Sequence, residues 1–166
     1  ARIKTPDFTG WGIIKGHYYT GGVFALHFAP DDQSIYLAGM GSTRDPAAGN
    51  GKQLWQKFTW QDKDGPKKEA EATKGEIGEG LMETLAFHPS GKFFLMAGRI
   101  FKGDWNAALF AHESGDRLHH QNVGFRISTS TFTPDGKTLY LGGGANQGQP
   151  NEEKKWGRIV IYEVSS

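Results

Sequence analysis

The sequence predicts an all-β chain built of antiparallel sheets, on three observations. A hairpin motif recurs three times: residues 28–39 read FAPDDQSIYLAG, residues 87–98 read FHPSGKFFLMAG and residues 132–143 read FTPDGKTLYLGG. The strands leaving these hairpins alternate at period two, the signature of β-structure. Glycine is abundant, 24 of 166 residues, about twice the usual ~7%, which supplies the turns such sheets need. Self-similarity of this kind outranks local propensity in assigning a fold, and the length suits one domain.

Composition excludes several function classes. Nineteen basic against eighteen acidic side chains give a net charge of +1, so no global field draws nucleic acid or an anionic membrane. With no cysteine there are no disulfides, thiolate metal sites or thiol nucleophiles, and the compartment stays undecided. No apolar run approaches the ~18 residues of a membrane span, and the opening ARIKTPDFTG lacks the apolar stretch of a signal peptide.

In chain order, WGIIKGH (11–17) has the apolar character of an outer strand. Each hairpin then follows one plan: a strand ends at Phe28, Phe87 or Phe132, and Pro30, Pro89 or Pro134 presets the turn. Gly91 and Gly136 supply the positive φ of a tight turn, and Asp32, which tolerates that region, stands in their place in the first copy. In the outgoing strands Ile35 and Leu37, Phe94 and Met96, and Leu139 and Leu141 share one face, with Tyr36, Leu95 and Tyr140 on the other. Strands apolar on both faces lie between other sheets. Third strands follow at 52–60, 105–113 and 157–164. A fourth is expected at 116–123 after the second copy and within 66–80 after the first. There Lys and Glu suit an exposed edge, a short helix at 67–73 being the competing local choice. No fourth strand follows the third copy, so the strand at 11–17 is expected to complete that sheet.

These residues resemble the WD-repeat β-propeller family over nearly the whole chain. Gly16-His17 matches the family's strand-junction dipeptide once, and the Phe-x-Pro hairpin matches three times. Trp60-Gln61 with Asp64-Gly65, Phe110-Ala111 with Ser114-Gly115, and Tyr162-Glu163 near Ser166 are degenerate forms of its Trp-Asp ending. The family's Asp-His-Ser/Thr-Trp hydrogen-bond tetrad has no assignable members here. The resemblance implies four-stranded antiparallel blades at about 18–80, 81–124 and 125–166, the last completed by the N-terminal strand at about 10–17. Propeller rings hold ~4–8 blades. Three blades therefore imply half of a six-bladed homodimeric ring closed by exchange of the N-terminal strands, or an excised portion of a longer propeller.

The densest polar cluster is HESGDRLHH, where His112, Asp116 and His119, with Glu113 and His120 nearby, are the candidate metal ligands. A solvated hairpin tip is the competing explanation, since successive strand residues such as His119 and His120 point to opposite faces. His27 and His88 flank the Phe column; they could line a central channel or simply hydrogen-bond turn groups. Trp55 and Trp105 align, with Trp156 one position off, and would form either a stacking surface for sugars or bases or packing whose indole N–H groups are satisfied at loops. The Gly-Gly-Gly-Ala run at 142–145 is no phosphate loop, because no Gly-Lys-Ser/Thr follows and no helix begins there. No Ser-His-Asp constellation is defined by spacing. The expectation is a noncatalytic scaffold without cofactor, binding a protein or peptide through rim loops at 41–51, 99–105 and 143–156. The alternative is an enzyme or a small-ligand or metal-binding propeller with its site in the central channel, at His27 or His88.

Overall fold

A computed structural model of the chain describes residues 2–8, 12–14, 16–19, 22–41, 51–72, 79–102, 104–144 and 156–165. Its strands are β1 (Gly12–Ile14), β2 (His17–Tyr19), β3 (Gly22–Phe28), β4 (Ser34–Met40), β5 (Gln53–Thr59), β6 (Lys68–Glu71), β7 (Glu79–Phe87), β8 (Phe93–Lys102), β9 (Ala107–Ala111), β10 (Arg117–Gln121), β11 (Arg126–Phe132), β12 (Thr138–Gly144) and β13 (Gly157–Glu163). They form three antiparallel meanders in sequence order: sheet I (β3 to β6), sheet II (β7 to β10) and sheet III (β11 to β13). No helix occurs among the described residues, and none is long and apolar enough to cross a membrane.

The three hairpins close as their residues require. Asp32, Gly91 and Gly136 have φ values of 56°, 71° and 73°, and their amides donate to Ala29, His88 and Thr133 carbonyls at 2.9, 2.8 and 2.9 Å. The charged segment after β5 is the extended edge strand β6, held by Lys57–Glu69 and Lys68–Glu71 ion pairs.

A bulge recurs as well. Register shifts by one residue in each first strand, between Val23 and Ala25, Met82 and Thr84, and Ile127 and Thr129, leaving Phe24, Glu83 and Ser128 as the extra residues. This explains the glycine that ends each motif. A Cβ on Gly39, Gly98 or Gly143 would run into the carbonyl oxygen of Gly22, Leu81 or Arg126 on the facing strand, so the column admits no side chain.

Sheets I and II meet through Tyr36, Trp55, Phe94, Met96 and Phe110. Sheets II and III meet through Leu95, Ala97, Phe132, Leu139 and Leu141. Both faces of β4 and β8 are thus buried, as their two-sided apolar pattern predicts. At the near end, Ile3 and Phe8 pack over Ile35, Leu37, Leu54 and Phe58, and Phe8 bridges to Gly41.

Three expectations are corrected. Within this chain the segment at 11–17 does not pair with sheet III: β1 pairs with β2, and Gly16, at φ 79°, turns the chain between them. A three-residue strand with its partner three residues on closes a local hairpin more readily than a long-range pairing, because the loop entropy is smaller. Gly16-His17 is therefore a turn, not a junction between an outer and an inner strand. Sheet III has three strands among the described residues, and the three sheets stack in an open row. The tryptophan alignment also shifts. Trp55 lies opposite Ala38, and the matching Ala97 lies opposite Ala107, so Trp55 shares its column with Ala107, while Trp105 precedes β9.

Candidate functional site

Most of the sequence-predicted polar residues serve the turns. His88 donates from Nε2 to the Gly136 carbonyl at 3.0 Å, accepts from Ser90 Oγ at 2.7 Å and stacks on Phe93. It thus ties the hairpin of sheet II to that of sheet III. His112 braces the hairpin of its own sheet II, donating from Nδ1 to the Gly91 carbonyl at 2.9 Å, while its Nε2 stands 3.9 Å from Asp31 in the hairpin of sheet I. His27 is exposed, and its Nδ1 contacts the Phe28 carbonyl at 2.8 Å. The metal candidates are not brought together: His112 turns toward Gly91, the Asp116 amide caps on Ser114, and His119 faces sheet III. No group of three or more His, Asp or Glu side chains converges among the described residues.

The tryptophans form no common surface. Trp55 and Trp105 are buried and Trp156 is exposed. The Trp55 indole nitrogen has no hydrogen-bond partner among the described residues, contrary to the expectation that a loop satisfies it.

The notable ionic group lies elsewhere, at the end of the sheets opposite the hairpin turns. Glu83 is the extra residue of the β7 bulge, and bulges re-aim the side chain they carry. Its carboxylate is only 7% exposed and accepts both Nε, at 2.7 Å, and Nη2 of Arg126, the first residue of β11. Such a two-point guanidinium–carboxylate pair fixes orientation as well as charge, and it raises the Arg126 pKa above its usual value, chiefly through the hydrogen bonds to Glu83. Arg99, opposite Leu81 near the end of β8, completes the group. Burial, and next the Arg126 charge, push its pKa down, while Glu83 raises it. Two guanidiniums and a carboxylate thus gather where β7, β8 and β11 meet.

These three residues were readable only as departures from the repeat. Aligned on the Phe column, Glu83 stands where the other copies have Phe24 and Ser128, Arg99 where they have Met40 and Gly144, and Arg126 where they have Gly22 and Leu81. A charge at a position that its sister repeats fill with apolar or small residues is an exception to the folding pattern, and such exceptions concentrate at functional sites.

The chain is thus an all-β protein of stacked antiparallel sheets carrying an ionic group across its first strands. No protein-family model and no curated protein matches it. Among solved structures it is similar to a "putative 6-phosphogluconolactonase" from Bacteroides fragilis, at 12% identity and TM-score 0.47 over 94% of this chain and 61% of that one. A second protein so described, from Bacteroides uniformis, shows 14% identity and TM-score 0.38 over 86% of this chain and 57% of that one. The chain therefore spans about three-fifths of the length of these structures. Both are described as enzymes, and with them the expectation of a noncatalytic scaffold that binds through rim loops and assembles by strand exchange is set aside.

Proposed function

We propose that the three sheets are blades of a β-propeller arc, and that the chain belongs to an enzyme or small-ligand-binding protein whose site lies at Glu83, Arg99 and Arg126. The WD-repeat likeness is part of this proposal and rests on the three hairpins. In such an arc β3, β7 and β11 line the central channel, which puts the ionic group at one mouth of it. The observation that carries the site is the gathering of two guanidiniums about one carboxylate: Glu83 engages both Nε and Nη2 of Arg126, and Arg99 stands close enough to feel both charges. Paired guanidiniums suit a small anion bearing a carboxylate or phosphate, which they recognise by parallel hydrogen bonds. Guanidinium donors placed in this way would also stabilise an oxyanion developing during a reaction. The test is thermal unfolding with inorganic phosphate against chloride of equal ionic strength. Phosphate should raise the midpoint of the wild type in a saturable way and leave Arg99→Met unmoved; equal response of both proteins, or none in the wild type, overturns the site.

Assembly is a second proposal. The outer face of sheet III exposes Ile159 and Ile161, at 72% and 60%, beside Tyr140, and sheet I exposes Leu26 and Phe28. We propose that further blades, from a second copy of this chain, stack on these faces; the remaining blades of a longer chain are the other candidate.

A further inference from the structure

We propose that the cleft between sheets II and III is a binding site for a flat aromatic molecule of about the size of indole. Its origin is a substitution within the repeat. Between sheets I and II, Trp55 fills the space over the third strand, its ring edge-on to Phe94 at 5.3 Å and to Phe110 at 5.7 Å, with Tyr36 beside it at 5.9 Å. Between sheets II and III the same columns hold Ala107 in place of Trp55 and Leu95 in place of Tyr36, facing Leu139 and Tyr162 in place of Phe94 and Phe110. Every one of these exchanges except Phe110 to Tyr162 removes an aromatic ring. What remains is a cleft of about 360 Å³ lined by these four residues with Leu109 and Leu141.

Size and chemistry agree with an aromatic occupant. An apolar cavity of ~150 Å³ already admits benzene, and small-molecule sites of ~300 Å³ or more are mainly apolar with a few placed polar groups. Here the polar groups stand on the β10 side and at the end of β13. His119 and Gln121 lie opposite Leu109 and Ala107 and so share their face of sheet II, and Glu163 borders the cleft from sheet III. Gln121 and Glu163 offer acceptors for a ring N–H, as an indole would present. The Tyr162 ring provides the aromatic wall that Phe110 provides for Trp55. No strand lies beside the outer edge of β13 among the described residues, so that side of the cleft is not covered by a fourth strand as it is in sheets I and II.

The experiment titrates indole into the full chain carrying ¹³C-labelled methyl groups. Saturable shifts should centre on Leu95, Leu109, Leu139 and Leu141, and cyclohexanol, similar in polarity but not flat or aromatic, should bind at least about tenfold more weakly, a difference of ~1.4 kcal/mol. Ala107→Trp should restore the missing ring, raise the thermal midpoint and abolish the indole shifts; Ala107→Leu, a smaller filler, should weaken binding if the tryptophan is not accommodated. The proposal is overturned by an absence of saturable shifts or by shifts centred on Ile159 and Ile161. It is equally overturned by cyclohexanol binding as tightly as indole, or by indole binding that survives both substitutions.

Discussion

Truncating Arg126 leaves the Glu83 carboxylate, 7% exposed, without the two hydrogen bonds it accepts, and that is the costliest way to break the group. Removing one partner of a fully buried pair costs ~3–5 kcal/mol. Arg126 is itself 39% exposed, so water can reach the gap, and Arg126→Met should cost about 1–2 kcal/mol in urea unfolding. Adding Glu83→Gln to that variant should restore part of the loss, since the stranded charge is then gone; a double variant no more stable than the single would show that the pair is not coupled. HESGDRLHH carries the familiar ligand chemistry, yet His112 holds a hairpin through Gly91 while His119 and His120 stand on β10 opposite Leu109 and Ala108. A histidine reveals little from sequence because its role depends on which backbone carbonyl happens to lie opposite. The ionic group was in principle more legible, because Glu83, Arg99 and Arg126 interrupt columns whose sister residues are apolar or small.

The hairpin was the element the sequence expressed most fully, because turn, strand alternation and closing glycine all obey local rules. The bulge was hidden, although its consequence was visible: the glycine column exists because the first-strand carbonyls approach Gly39, Gly98 and Gly143. Gly98→Ala should therefore cost about 2–3 kcal/mol through overpacking, whereas Gly157→Ala, where nothing lies within 4 Å of an added Cβ, should change stability by less than ~0.5 kcal/mol. Denaturant midpoints of the two variants decide the matter, and equal losses would contradict the bulge as the cause. The third turn also carries a pH signature. Asp135 accepts Thr133 Oγ1 at 2.6 Å and the Lys137 amide at 3.0 Å, and these bonds, the threonine's first, hold its carboxyl below the usual value. Its folded pKa being lower than its unfolded pKa of ~3.9, the contribution is present above that value and disappears as pH falls through the folded one. Asp135→Asn should accordingly lower the urea midpoint at pH 6, and by less as the pH falls through the folded pKa. The strand at 11–17 was misplaced for a different reason: its apolar residues fit an outer strand equally well wherever it pairs, and only the proximity of His17–Tyr19 decides.

At the scale of the molecule the two outer faces are unequal, and the difference shapes how the chain should associate. Sheet I is capped over β4 and β5 by Ile3 and Phe8, as terminal repeats of a stacked array usually are, with Leu26 and Phe28 of β3 left open. Sheet III has no such cap among the described residues, and Ile159 and Ile161 stand on one face with Tyr140 between the same strands. Tyr140 occupies the column of Tyr36, which inside the protein packs against Phe87 and Phe94 at 5.1 and 4.8 Å; the equivalent residues at the open end of sheet I are Phe28 and Ile35. A second copy can therefore present to sheet III a face of the kind it would meet inside the chain, but residues 2–8 must yield first over Ile35. Light scattering should show a mass that rises with concentration above the 18.3 kDa of one chain. Ile159→Lys with Ile161→Lys should return it to that value by placing two charges in the contact, and removal of residues 1–8 should strengthen association by uncovering Ile35. A constant 18.3 kDa for both the full and the shortened chain would rule out the second copy and leave the faces to blades of a longer polypeptide.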